Sequence, residues 1–128
     1  MILKIHDLNG NISSKIFLFH GVNEGQKDEI LEKKFRPIFG ENLFKYYEKE
    51  IFSNIDSFYN QILSKSFFEK NKLIIIKDAS DKIKDEIENL KKKKIEDIKI
   101  ILMSSILDKK SKLRNFFEKE KDLVSVAF

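Results

Sequence analysis

The chain has 128 residues, 41% of them hydrophobic and 36% charged, which suits one folded domain with an apolar core beneath a charged surface and excludes a disordered chain. There is no cysteine, so disulfides, thiolate metal sites and cysteine nucleophiles are excluded, and two histidines, His6 and His20, are too few for a histidine-rich zinc site. Twenty-five basic side chains against 21 acidic ones leave a formal charge of +4, a small excess that permits contact with nucleic acid without predicting it.

No apolar run approaches the ~20 residues that cross a bilayer. The first residues lack the long apolar stretch and small-residue cleavage site of a secretory signal, so the cytoplasm is the expected address. Arg36 and Arg114 are the only arginines, which leaves few candidates for bidentate phosphate or base recognition. No cofactor, metal or membrane contact is expected.

In chain order, Lys15 to His20 is an apolar run ended by Gly21 and reads as a buried strand. A helix follows from Asn23 or Glu24 through about Phe35, stopped by Pro37 and Gly40. Leu43 to Phe52, with Phe44, Tyr46, Tyr47 and Ile51, reads as a second strand of imperfect alternation. Ile55, Phe58, Tyr59, Ile62 and Leu63 then fall at i, i+3, i+4, i+7 and i+8, one apolar helical stripe that Asn54 or Ser53 can cap.

Leu73 to Ile76 is a β-branched run that predicts a fully buried strand. Asp78 to Asp81 offers caps for a helix carrying Ile83, Ile87 and Leu90, which ends in Lys91, Lys92, Lys93 and Lys94. Ile98 to Met103 makes a fourth strand; Asp108 or Lys109 opens a helix with Leu113, Phe116 and Phe117 facing inward; Leu123 to Phe128 makes a fifth. Strands separated throughout by helices predict an α/β fold: a single three-layer domain over residues 1–128, its five-stranded sheet mostly parallel and flanked by helices. The chain stops inside an apparent strand, so it is expected to be the N-terminal part of a longer protein.

The first strand leads into Gly21-Val22-Asn23-Glu24-Gly25-Gln26-Lys27-Asp28, where a phosphate-binding loop would lie. A working loop follows G-x-x-x-x-G-K-[ST]: glycines for close backbone approach, lysine for the phosphates, a hydroxyl for magnesium. Gly21 and Gly25 are one residue too close, Gln26 precedes Lys27, Asp28 replaces the hydroxyl, and Glu24 adds negative charge. The expectation is a degenerate loop that binds no nucleotide.

The run ending at Asp78 resembles a magnesium-holding strand, but Asp78 lacks an acidic neighbour and reads as a helix cap, a duty Asp81 can share. Lys91–Lys94 and Lys109–Lys112 would suit nucleic acid, yet cations at the end of a helix also complement its dipole, and a solvated face is the preferred reading. Ser66-Phe67-Phe68 follows the clearest helix. Adjacent residues on a helix point about 100° apart, so pattern alone puts at least one phenylalanine in the core.

In order and spacing, three stretches resemble the N-terminal domain of the bacterial DNA polymerase III delta subunit. They are residues 16–25, residues 62–77 from Ile62 through Phe68 into the strand ending at Lys77, and residues 106–114. The resemblance implies an AAA+-like domain without an ATP site, whose lid and collar domains lie outside this chain. It further implies a replication role with no catalysis of its own: binding the sliding clamp and holding one ring interface open, in concert with the other clamp-loader subunits. DNA contact would be indirect or weak. It assigns clamp binding to Ser66, Phe67 and Phe68, against the core reading of that pair. The alternatives are an active nucleotidase using Lys27 and Asp78, and a lysine-rich nucleic-acid binder.

Overall fold

A strand of consecutive apolar residues is stable where both of its faces are covered, and parallel sheets sandwiched by helices meet that condition. The computed structural model describes all residues except 64–70, 94 and 96. Its strands are Ile2–Leu3 (β1), Ile16–His20 (β2), Leu43–Tyr47 (β3), Lys72–Lys77 (β4), Ile98–Ser104 (β5) and Leu123–Ala127 (β6). They form one six-stranded sheet in the order β1-β6-β2-β5-β4-β3, with every pairing parallel. The α/β class and the parallel sheet agree with the sequence reading. The strand count does not: β1 adds a sixth, pairing Ile2 with Ser125 and Leu3 with Val126, and two residues are too few to show a period.

Helices cover both faces. On one side Ile16, Leu18, Ile74, Ile76, Ile100 and Leu102 meet Glu48–Ser53 (α3), Ile55–Leu63 (α4), Lys84–Lys92 (α5) and Lys112–Lys119 (α6), through Ile51, Phe58, Ile62, Ile87, Leu90, Leu113 and Phe117. On the other, Phe17, Phe19, Ile75, Ile101 and Val124 meet Leu8, Ile30, Leu31, Phe35 and Phe39. Odd and even positions of each strand thus feed opposite cores, giving the three layers that the continuous apolar runs predict.

Four local expectations are corrected. The helix after β2 is not stopped by Pro37: Glu24–Ile30 (α1) passes through a π-helical turn at Leu31–Phe35 into Arg36–Phe39 (α2), and Gly40, at φ 58°, ends it. Proline is tolerated because it falls at the start of a fresh α-helical turn after the wide one. The second strand ends at Tyr47 rather than Phe52. There the Tyr47 amide donates to the Glu50 carboxylate at 3.4 Å, and Glu48 accepts from the amide and hydroxyl of Ser80 at 2.9 and 2.7 Å, turning the chain into α3.

Ser80, not Asp78 or Asp81, caps the turn at Asp81–Ile83 that opens α5, its Oγ accepting from the Lys82 amide at 3.3 Å. Helix α6 begins at Lys112 behind Ser111, whose Oγ accepts from the Arg114 amide at 3.2 Å, rather than at Asp108 or Lys109. Asp81 serves that second helix instead, accepting from the Ser111 hydroxyl at 2.6 Å and the Leu113 amide at 3.0 Å. Those bonds hold its carboxyl below the ordinary aspartate range.

Candidate functional site

In open α/β sheets the ligand crevice lies beyond the carboxyl ends of the strands, where neighbouring strands send their chains in opposite directions. Here that point falls between β2 and β5, because the chain leaves β2 for the β3 edge and leaves β5 for β6, on the far side of β2. The crevice is bridged. The Gly21 amide donates to the Ser105 carbonyl at 3.0 Å, tying the loop after β2 to the loop after β5.

Lys27 fills the space below. Its side chain is fully buried, and its ammonium donates to the Gly21 carbonyl, the Glu24 carboxylate and the Ser104 carbonyl, each at 2.7 Å. A lysine ammonium has three donors, so all are used within the protein. The Ser104 hydroxyl in turn donates to the Ala79 carbonyl at 2.7 Å, and the Ala79 amide to the Met103 carbonyl at 2.9 Å, so the ends of β4 and β5 are stitched together as well.

The two glycines of the loop differ. Gly21 has φ 125°, and a Cβ there would stand 1.9 Å from the Phe128 carbonyl oxygen, so only glycine fits. That oxygen is held in place because the Phe128 amide donates to the His20 carbonyl at 2.7 Å and its ring packs on Phe19 with centroids 4.9 Å apart. Gly25 lies within α1, and a Cβ would meet nothing closer than 3.8 Å. The helix N-terminus is occupied by the protein itself, since the Asn23 carboxamide oxygen accepts from the Gln26 amide at 3.0 Å.

Beside this plug, His20 is buried with its imidazole held below the usual value, first by burial and then by the Arg114 charge. Asp78 is exposed at the carboxyl end of β4 with φ 55°, a left-handed conformation that aspartate adopts more readily than most residues. It borders a cavity of about 710 Å³ together with Tyr47, Phe52, Lys49 and Lys82. Among the described residues, no group of three histidine, aspartate or glutamate side chains comes together in a way that would hold a metal ion.

The basic stretches separate. Lys91 is engaged by Glu120 at 2.9 Å and Asp122 at 3.0 Å, and Lys93 lies 4.8 Å from the centre of the Tyr59 ring. Lys94 lies outside the described residues. Lys109, Lys110 and Lys112 are exposed around the N-terminus of α6.

Ser66, Phe67 and Phe68 lie outside the described residues as well. Their described neighbours are Leu63, the last residue of α4, and Asn71, which precedes β4 with φ 59°. Both belong to the amino edge of the sheet, opposite the Lys27 plug. Leu63, predicted to complete the buried stripe, is 41% exposed, because the stripe meets the core only through Phe58 and Ile62, with Ile55 and Tyr59 partly covered. No helix among the described residues is long and apolar enough to cross a membrane.

No curated protein matches the chain. The family described as DNA polymerase III, delta subunit, matches residues 21–127, from the glycine of the bridged loop to the end of the last strand. That family supplies a non-catalytic component of the clamp loader in DNA replication. This chain belongs to the DNA polymerase III delta subunit family.

Proposed function

We propose that the chain binds the sliding clamp through Ser66, Phe67 and Phe68 and stabilises the open ring, with no nucleotide hydrolysis of its own. The observation that carries the second half is the Lys27 ammonium, spent on Gly21, Glu24 and Ser104 where a phosphate-binding lysine would face its ligand. Releasing it for a nucleotide would strand two backbone carbonyls, at about 1–3 kcal/mol for each that is left buried without a partner. Family membership supports the first half, together with a sequence that sets two adjacent phenylalanines beyond the end of the amphipathic helix α4.

Burying one phenylalanine side chain contributes about 1.5–3 kcal/mol, so a pair can anchor an interface without chemistry. Ring opening then requires only that the open clamp be bound better than the closed one, since a ligand shifts an equilibrium by its differential affinity for the two states. The other clamp-loader subunits are the remaining partners, and the cytoplasm is the proposed compartment.

Calorimetric titration of purified clamp into the chain tests the docking. Phe68→Ala is expected to lose about 2 kcal/mol or more of affinity with an unchanged melting temperature; wild-type affinity in the variant would refute the assignment. A melting temperature raised by magnesium-ATP and no longer raised in Lys27→Ala would refute the nucleotide-free reading.

A further inference from the structure

Apart from the bridged crevice, the carboxyl ends of β3 and β4 border the cavity of about 710 Å³ at the β3 edge of the sheet. Two aromatic rings line it. Tyr47, the last residue of β3, is 49% exposed, and Phe52, within α3, is 41% exposed. Neither ring packs against another ring among the described residues. Exposed aromatic side chains gathered in one cavity, unlike scattered ones, mark a contact surface.

The charges around the rings are unequally engaged. Both Glu48 carboxylate oxygens accept from Ser80, and Glu50 accepts from the Tyr47 amide. The Asp78 carboxylate forms no hydrogen bond or ion pair with any described residue, and the Lys49 and Lys82 ammoniums form none either. Asp78 therefore has no bond within the fold to account for a charged side chain at φ 55°, where asparagine or glycine would serve the backbone as well.

The lining sets the ligand class. Every residue of it is described, together with its neighbours in sequence on both sides. The carboxylates of Glu48, Glu50 and Asp78 outnumber the ammoniums of Lys49 and Lys82, a balance that disfavours a phosphate or a carboxylate ligand. Among the described residues the carboxylates do not converge as metal ligands, which leaves an organic cation. A guanidinium fits best: it is flat, lies on aromatic faces and donates to a carboxylate through two parallel bonds, whereas an ammonium is a compact point charge.

We propose that this cavity receives an arginine side chain of a partner protein, its guanidinium lying on the Tyr47 or Phe52 ring and donating to Asp78. A second copy of the chain does not supply it. Arg36 is engaged by Glu32 at 2.6 Å, and Arg114 by Glu118 at 3.2 Å and the Leu107 carbonyl at 2.8 Å. The inference stands independently of Ser66, Phe67 and Phe68.

The test titrates N-acetyl-arginine amide into the isotope-labelled chain and follows the Tyr47 and Phe52 ring signals by NMR. N-acetyl-lysine amide and AMP serve as comparisons, and melting temperatures check each variant. The arginine amide is expected to shift both rings saturably, with half-saturation at about 1–10 mM. The lysine amide should bind at least about fivefold more weakly, and AMP should not bind. Asp78→Asn keeps a residue that accepts positive φ and should weaken arginine binding at least about fivefold; Phe52→Ala should weaken it about threefold. If a variant does not fold, the comparison of arginine with lysine in the unchanged chain gives the reading. No saturable shift, or undiminished binding in Asp78→Asn, overturns the site. Equal binding of the two amides overturns guanidinium recognition in favour of a simple cation, and tighter binding of AMP overturns it in favour of an anion.

Discussion

The two ends of the sheet hold their lysines differently. At the carboxyl end, Lys27 is sealed and spends its three donors on Gly21, Glu24 and Ser104. At the amino end, the exposed Lys15 donates to the Ile95 carbonyl and the half-buried Lys99 to the Ile12 and Ser14 carbonyls. An ammonium with all three donors used holds structure together and has none left for a ligand. The crevice where α/β folds ordinarily bind is therefore closed here.

Removing the clasp should have the largest consequence. Lys27→Ala leaves the Gly21 and Ser104 carbonyls without their donor and opens space in the crevice; the expected loss is about 3 kcal/mol in urea unfolding, while Lys15→Gln should cost under about 0.5 kcal/mol as an exposed substitution. Equal losses at the two positions would erase the contrast. The glycines sharpen it further. Gly21→Ala should destabilise by about 2 kcal/mol or more, from the positive φ and the clash with Phe128. Gly25→Ala should stabilise by about 0.5–1 kcal/mol, since a helical site with room gains from alanine. A loop built to cradle phosphate would punish both changes.

The smallest effect concerns His20. Its folded imidazole titrates below the ordinary value of 6.5, so the unfolded chain binds the proton more readily. The contribution of His20 to stability is complete above pH 6.5 and is lost as the pH falls through the depressed folded value. Unfolding between pH 7.5 and 5 should show this slope in the unchanged chain and a flatter one in His20→Gln.

Much of this was legible in the sequence, for reasons that differ by element. The four interior strands announce themselves because burial on both faces demands unbroken apolar runs such as Leu73 to Ile76. β1 escapes notice, since two residues carry no pattern and only the partner strand at Ser125 and Val126 defines them. The broken phosphate loop was readable from the spacing of Gly21, Gly25 and Lys27. The fate of Lys27 was not, because its acceptor Ser104 is 77 residues away. Capping was misassigned for a similar reason: Asp81 lies beside the helix it precedes in sequence yet bonds Ser111 and Leu113 across the fold. The lysine pair at the amino edge had one visible signal, a lone charge between Ile98 and Ile100, and that signal alone does not reveal Lys15 as its neighbour.

The π-helical turn at Leu31–Phe35 governs how this face of the domain tolerates change in chain length. In an unbroken α-helix each step of four residues overshoots a full revolution by about 40°, so Leu31, Phe35 and Phe39 would drift progressively around the axis. The wider turn winds less per residue and cancels much of that drift, which lets all three point at the sheet. Deleting a single residue there would tighten the coil into its commoner form and leave seven steps from Leu31 to Phe39, about 20° short of two revolutions, so Phe39 would still face the sheet and the segment behaves as a phase adjuster that absorbs one residue.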